Sequence, residues 1–422
     1  MSKYLPDRMA DPEFDLLSPM LTEHEHGWSA SFQGLTLRTA LQPIFSISHK
    51  RVVGYEALIR AFDNDNSSVL PLHLFQLPTS EPENVLLDRL CRYLHVKNYS
   101  ALDDQINWLF LNISPKVVAN GRQCDSFFGK LLRQTGLPPH RIVVEIVEQP
   151  TDDSQQLRDT VAYYQQLGCL TAIDDFGAGH SNFERVWNLS PDIVKLDRTL
   201  LTRATADKKA RQILNGIASL LHQSGCLVLL EGVETKDQAM IAIDAGVDFV
   251  QGFYFSRPSI ELQEMTTVGT NLEQLLTDYK SRSRVQLDPT QQITDFFSSY
   301  FQSAVNKLRF GNNLEQSCVE LLGHHSVSRC YLIDASGVQV EKTLISRSIA
   351  NTLDPRFRPL ENTVSADWYR QQYLKQALAQ PDHIHVTRPY LSIAGAHMCV
   401  TLSLAYYQQG ALRVLCCDVL AQ

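Results

Sequence analysis

The apolar run LTAIDD ends in two adjacent carboxylates, Asp174 and Asp175, and passes directly into FGAGHSNF. Polar residues stand at comparable places in other apolar runs. Glu56 interrupts VVGYEALIR, Asn112 closes WLFLN and Glu145 interrupts RIVVEIVE, while Lys195 and Asp197 mark DIVKLD, Glu231 lies in LVLLEGVE and Gln251 follows DFV. A charge in a core strand costs several kcal/mol unless it is paired or ligates a metal, so this recurrence asks for a common cause. Carboxylates with an amide make a hard, oxygen-rich donor set suited to Mg²⁺ or Mn²⁺, without the thiolates and histidines that zinc favours. If Asp174 bridges two cations and Asp175 completes the second, the repulsion between the neighbours is removed. The result is the paired-metal arrangement used for phosphodiester displacement. Taken singly, each acid reads more readily as a helix cap, a loop ion pair or a solvated group than as a ligand, and only their recurrence carries weight. Lys195 either neutralises the acids or acts on the nucleophile, and the two roles are compatible.

The elements that must position these groups begin near residue 38, where short Val-, Ile- and Leu-rich runs start to alternate with amphipathic segments, and continue to about residue 258. Eight runs read as strands: LRTALQPI, VVGYEALIR, WLFLNIS, RIVVEIVE, LTAIDD, DIVKLD, LVLLEGVE and FVQGFYF. Between them, Leu157, Val161 and Tyr164 mark one helix face closed by Gly168, and Ile213, Ile217, Leu220 and Leu221 mark another closed by Gly225. Strands of continuous hydrophobicity alternating with helices predict a parallel sheet covered on its outside, and eight of them predict an α/β protein of (β/α)8 TIM-type barrel architecture. The carboxyl ends of barrel strands converge on one face, where catalytic groups collect. Only Ser48, His49, Lys50 and Arg51 separate the first two runs, too few for a crossover helix. That pair is expected to be antiparallel.

Bulk properties bound the function. The chain has 422 residues, 44% apolar content and a formal net charge of −8, with no basic stripe or charged tail. The electrostatic grip of a DNA-binding protein is therefore missing, and no DNA partner is expected. The nine cysteines lack CxxC spacing and fit reduced thiols in a cytosol. No signal peptide and no apolar run near about eighteen residues is present, which predicts a cytoplasmic protein without a membrane partner. Residues 1–35 read as a polar, loosely held N-terminal arm, in which His24 and His26 read as solvated side chains ahead of metal ligands.

The stretches YEALIR, LFLNIS, EIVE, IDDFGAGHSNF, IVKLD, EGVE and QGFYFSRP, in this order across roughly residues 35–265, resemble the EAL domain, the bacterial phosphodiesterase of cyclic di-GMP. The resemblance implies a barrel with an antiparallel first strand and linearisation of cyclic di-GMP to pGpG with Mg²⁺ or Mn²⁺. It implies one metal on Glu56, Asn112, Glu145 and Asp174, and another on Asp174, Asp175 and Glu231. Lys195 would orient the attacking water and Gln251 would hold water or metal. Arg60 would pair with a substrate phosphate, Gln42 and Leu58 would contact the nucleotide, and Glu234 would anchor the loop after Asp175. That loop, with Gly177 and Gly179, would carry dimer-linked regulation. Ala178, His180 and Asn182 depart from the usual loop residues, as Val147 does in EIVE, but every expected ligand is present.

Beyond the barrel of residues 36–265, residues 266–310 read as a helical connector. There Ile293, Phe297, Tyr300, Phe301, Ala304 and Leu308 form an apolar stripe suited to a connector or dimer-forming stalk. Residues 311–422 read as an α+β domain that resembles PAS-like or Cache-like sensory modules, with strands in CYLIDASGVQV and a terminal hairpin around Gln408, Gln409 and Gly410. A homodimer and a small-molecule ligand of this domain are the partners the resemblance adds to cyclic di-GMP. A pure packing module is the plainer reading, with Cys416 and Cys417 as ordinary buried thiols. The two functional classes are hydrolysis adjusted by the C-terminal domain and a receptor that binds cyclic di-GMP without turnover; the full ligand set favours the first.

Overall fold

The computed structural model describes residues 12–25, 27–102, 104, 106–113, 126–146, 154–178, 183–261, 271–285, 289–350, 363, 365–391 and 398–420. They form two compact units, Met1–Tyr279 and Lys280–Gln422. In the first, an N-terminal hairpin of β1 (Leu21–His24) and β2 (Gly27–Phe32) leads into β3 (Leu35–Ser46) and β4 (Arg51–Phe62). A short β5 (Ser68–Val69) precedes β6 (Trp108–Ile113), β7 (Ile142–Ile146), β8 (Leu170–Phe176), β9 (Ile193–Leu196), β10 (Leu227–Leu230) and β11 (Phe249–Val250). The sheet runs β1-β2-β3-β11-β10-β9-β8-β7-β6-β4-β5, and β3 also pairs with β4, which closes an eight-stranded barrel. As the short connection requires, β3 is antiparallel to both β4 and β11, whereas the other barrel pairs are parallel.

The barrel is plugged by one apolar side chain from every strand: Ile44, Val53, Phe110, Val143, Ala172, Ile193, Leu229 and Phe249. Because side chains alternate across a strand, the next inward position toward the carboxyl end lies two residues on. On β6 to β11 those positions are Asn112, Glu145, Asp174, Lys195, Glu231 and Gln251. On the reversed β3 the matching residue comes two before Ile44, at Gln42. A register shift at Ile44/Phe45 adds one residue to β4, placing Glu56 three after Val53 and directly opposite Gln42. One period-two rule thus stacks a polar layer on an apolar one.

On the outside, the helix Ser154–Leu167 buries Val161 and Tyr164 and ends at Gly168 with φ 90°. The helix Lys208–Gln223 buries Leu214, Ala218 and Leu221, while Ile213 and Leu220 of the expected stripe are exposed. An apolar arc wider than the buried stripe does not reveal its own centre.

The N-terminal segment is not a loose arm from residue 12 onward. β1 and β2 extend the sheet on β3, and Phe14 and Leu17 of the helix Pro12–Leu17 are buried. Phe14 lies against the rings of Tyr93 and Phe127. The Trp28 N–H donates to Asn98 Oδ1 at 2.7 Å and the Asn98 amide donates back to Trp28 O at 3.0 Å. A few buried apolar residues hold a segment whose composition is polar, while Leu16 is exposed. His24 Nε2 is 2.7 Å from Ser29 Oγ, and His26 lies outside the described residues.

The second unit is built on a sheet of β12 (Val327–Asp334), β13 (Leu344–Ile345), β14 (His385–Val386), β15 (Tyr390–Leu391), β16 (Met398–Gln408) and β17 (Ala411–Leu420). Its order is β13-β12-β17-β16-β14, with β15 also on β16. The terminal hairpin turns at Gln409 and Gly410, both at positive φ. The stripe expected to form a connector or stalk lies in the helix Pro289–Arg309 and is largely consumed inside this unit, where Phe297, Phe301, Ala304, Val305 and Leu308 join the core. Tyr300 alone of the expected row is well exposed, at 40%. Among the described residues no cysteine pair forms a disulfide, and no helix is long and apolar enough to cross a membrane.

Phe110→Ala, which opens the plug beneath the polar layer, is expected to lower stability by ~3–5 kcal/mol. Urea unfolding followed by circular dichroism checks this, and a loss below ~1 kcal/mol contradicts the plug.

Candidate metal centre

Lys195 is fully buried, and its Nζ is the hub of the polar layer. Glu145 Oε1 lies 2.6 Å away, Glu231 Oε1 2.7 Å, Asp174 Oδ1 2.9 Å and Glu56 Oε2 3.7 Å. Asn112 donates its amide to Glu56 Oε1 at 3.3 Å, and Gln251 donates to Glu56 Oε2 at 2.8 Å. Five strands therefore bring carboxylates or the ammonium to one point, and β6 and β11 supply the amides.

The paired aspartates are aimed by a break in β8. Pairing with β9 shifts register between Ile173 and Phe176, and Asp175 adopts the left-handed conformation at φ 56°, which Asp tolerates better than most residues. Its N–H donates to Asp174 Oδ1 at 3.0 Å. The bulge turns both carboxylates the same way, and oxygens of Asp174, Asp175 and Glu231 lie within 4.8 Å of one another. Gly252 secures the far side. At φ 156°, a Cβ there would stand 2.2 and 2.3 Å from the Val233 backbone oxygen and nitrogen. That close approach lets Val233 N–H donate to Gln251 O at 3.1 Å, tying the Glu231 and Gln251 strand ends together.

The electrostatics are unbalanced. Burial raises the Glu145 carboxyl well above its ordinary value, and the Glu56 and Asp174 charges add to this against the opposing Lys195. Glu231 is raised by the same two kinds of cause, burial first. Burial would lower the Lys195 ammonium, but the surrounding carboxylates outweigh it and raise it well above its usual value. One ammonium cannot balance this many acids. Among the described residues, Glu145 Oε2 and Gln251 Oε1 are buried without a hydrogen-bond partner. Buried oxygens left without donors, in an all-oxygen set with excess negative charge, fit a hard divalent cation.

The expected substrate-side residues extend outward from this layer. Leu58 and Arg60 follow Glu56 at alternate positions of β4 and are half-buried. Gln42, opposite Glu56, donates to Ser256 O at 3.3 Å. Asp197 is not part of the cluster: it caps the helix Arg198–Ala206 by accepting from Thr199 N–H. Glu234 has an exposed side chain; residues 179–182, which include His180 and Asn182 of the loop that Glu234 was expected to anchor, and Val147 lie outside the described residues. Sequence reasoning missed the support behind β3 and β4. His95 Nδ1 is 2.9 Å from Thr39 Oγ1, which also accepts from Asn98 at 3.0 Å. Burial, with the nearby Arg60 charge second, pushes His95 down to about 3, so it is neutral. The available signal was the spacing of His95 and Asn98, one turn apart on one face of the helix Glu81–Ser100.

The EAL domain family model matches residues 28–258, more than half of the chain, and the chain belongs to that family. The EAL-domain containing protein YkuI of Bacillus subtilis (strain 168) is 27% identical over 310 residues, covering 71% of this chain and 75% of YkuI. Its crystal structure, in complex with substrate c-di-GMP and calcium, has the same fold over 92% of this chain and 96% of that chain, with TM-score 0.74 and 22% identity. Cyclic di-GMP phosphodiesterase RocR of Pseudomonas aeruginosa is 28% identical over 228 residues, 52% of this chain and 57% of RocR. Probable cyclic di-GMP phosphodiesterase PdeN of Escherichia coli (strain K12) is 29% identical over 224 residues, 52% of this chain and 43% of PdeN.

A raised carboxyl pKa means that the folded state keeps a proton the unfolded chain releases above the ordinary value of 4.5, so this contribution to stability falls as pH climbs beyond it. Lys195, also raised, changes stability in the same direction, but only above its ordinary value of 10.5. In chelator-treated protein, wild type is expected to lose stability relative to Glu145→Gln as pH rises above the ordinary carboxyl value, as read from urea midpoints. A difference that stays flat or reverses contradicts the assignment.

Proposed function

We propose that this chain is a metal-dependent phosphodiesterase that opens one phosphodiester of cyclic di-GMP to give linear pGpG. The observation that carries the reading is the convergence of Glu56, Glu145, Asp174 and Glu231 within 4 Å of one buried ammonium, with Asp175 beside them, in an EAL-family barrel. Glu56, Asn112, Glu145 and Asp174 would hold one Mg²⁺ or Mn²⁺, and Asp174, Asp175 and Glu231 a second. Bound there, the ions supply Lewis acidity to water and to the phosphate. The chain does the rest. Lys195 donates hydrogen bonds that orient the attacking water for in-line displacement, and its charge offsets the surplus acids. Gln251 and Asn112 fix the Glu56 carboxylate from either side. Arg60, whose pKa burial lowers while Glu56 opposes the shift, keeps its cation and presents a planar fork to a substrate phosphate. Gln42 and Leu58 contact the nucleotide, and Glu234 anchors the loop after Asp175. A cytoplasmic homodimer, and a PAS-like or Cache-like C-terminal module that adjusts turnover by binding a small molecule, complete the reading on the strength of the family resemblance.

Purified protein incubated with cyclic di-GMP and Mg²⁺ or Mn²⁺ is expected to yield pGpG by chromatography. Nucleotide binding without product under either ion would leave only a receptor. Glu56→Ala is expected to cut turnover by at least ~100-fold while circular dichroism stays unchanged, because it removes a ligand and no packing. Retained turnover would contradict the first-metal assignment.

A further inference from the structure

A small cleft of about 30 Å³ lies wholly within the second unit, among Arg329, Tyr331, Trp368, Tyr373, Tyr390 and Asp418. Asp418 is 1% exposed and accepts from Arg329 Nε at 2.6 Å, Thr401 Oγ1 at 2.7 Å and Tyr331 OH at 3.4 Å. The carboxylate is thereby satisfied, and it holds the guanidinium by one edge. The other edge is unspent: among the described residues, Arg329 has only the Nε bond to Asp418, so both terminal nitrogens lack an acceptor. Only 14% of the Arg329 side chain is exposed. The terminal nitrogens are not sealed from solvent, so an anion entering the cleft would meet two donors that the described residues leave unmatched. The walls are held in place. Trp368 Nε1 donates to Gln339 Oε1 at 3.1 Å, Tyr390 OH and Thr401 Oγ1 are 2.5 Å apart, and Tyr331 packs against the rings of Trp368 and Tyr373.

A planar fork of parallel N–H bonds matches two coplanar oxygens, and aromatic walls that thin the surrounding water strengthen such a pair. The volume suits a head group of a few heavy atoms, since a single water needs about 10–15 Å³ by the same measure. We propose that this cleft binds a small carboxylate, its two oxygens on the terminal nitrogens of Arg329 and its remainder leaving past Gln371 at the rim. The site is independent of the barrel and of the phosphodiesterase reading, and its test measures binding alone.

Isothermal titration of the full chain with acetate and succinate is expected to show saturable binding. Acetamide, the neutral counterpart of acetate, should bind at least ~10-fold more weakly, because it offers no anionic oxygen pair. Arg329→Lys keeps a cation for Asp418 but removes the fork and should weaken binding ~10-fold or more. Gln371→Glu, at the half-buried rim, should weaken it by repulsion without disturbing the core, and serves if Arg329→Lys misfolds. Absence of binding by both carboxylates, equal binding of acetamide, binding of inorganic phosphate in preference to either carboxylate, or full affinity in a folded variant would each overturn the proposal.

Discussion

The barrel is organised around an unfavourable fact: more negative charge is gathered in a buried place than the protein itself can neutralise. Glu56, Glu145, Asp174 and Glu231 all reach Lys195 Nζ, and Asp175 stands next to them. The ammonium reduces the repulsion without ending it, as the upward displacement of the Glu145 and Glu231 carboxyls shows. Carboxylates in this condition either take up protons or gather cations, and divalent cations are the stronger remedy.

Tolerating that charge requires rigid support. The apolar plug beneath it, one residue from each strand, fixes the inward direction, and strand alternation then leaves the polar residues no choice but the mouth. Two local irregularities adjust the regular pattern. The extra residue in β4 brings Glu56 level with Gln42, and the break in β8 turns Asp174 and Asp175 the same way despite their adjacency in the chain. Around the rim, His95, Thr39 and Asn98 join the long helix Glu81–Ser100 to β3, and Asn98 also clasps β2. The N-terminal hairpin thus belongs to the scaffold that carries the site.

Much of this was legible in the residues. Val-, Ile- and Leu-rich runs interrupted by a single acid or amide pointed to strands with one functional position each, and four residues between two runs dictated their antiparallel pairing. What escaped did so for identifiable reasons. The segment at Phe14 and Leu17 contains too few apolar residues to show a pattern, though these two are buried. Asp197 stands two residues after Lys195 in the same motif, yet a strand end and a helix start coincide there, and capping takes the side chain. The stripe of Phe297, Phe301 and Leu308 has helical spacing whether it faces a partner chain or a sheet within its own unit; only the tertiary structure decides. The orphaned edge of Arg329 depends on strands brought together from β12 and β17, a juxtaposition no local pattern announces.

The central claim is that the acids assembled around Lys195 exist to hold divalent cations. Titration of the chelator-treated full chain with Mn²⁺ tests it most directly: the account predicts binding of about two ions per chain, lost from both positions when Asp174→Asn removes the carboxylate proposed to bridge them. An absence of Mn²⁺ binding to the folded protein, or unchanged binding in that variant, would contradict it.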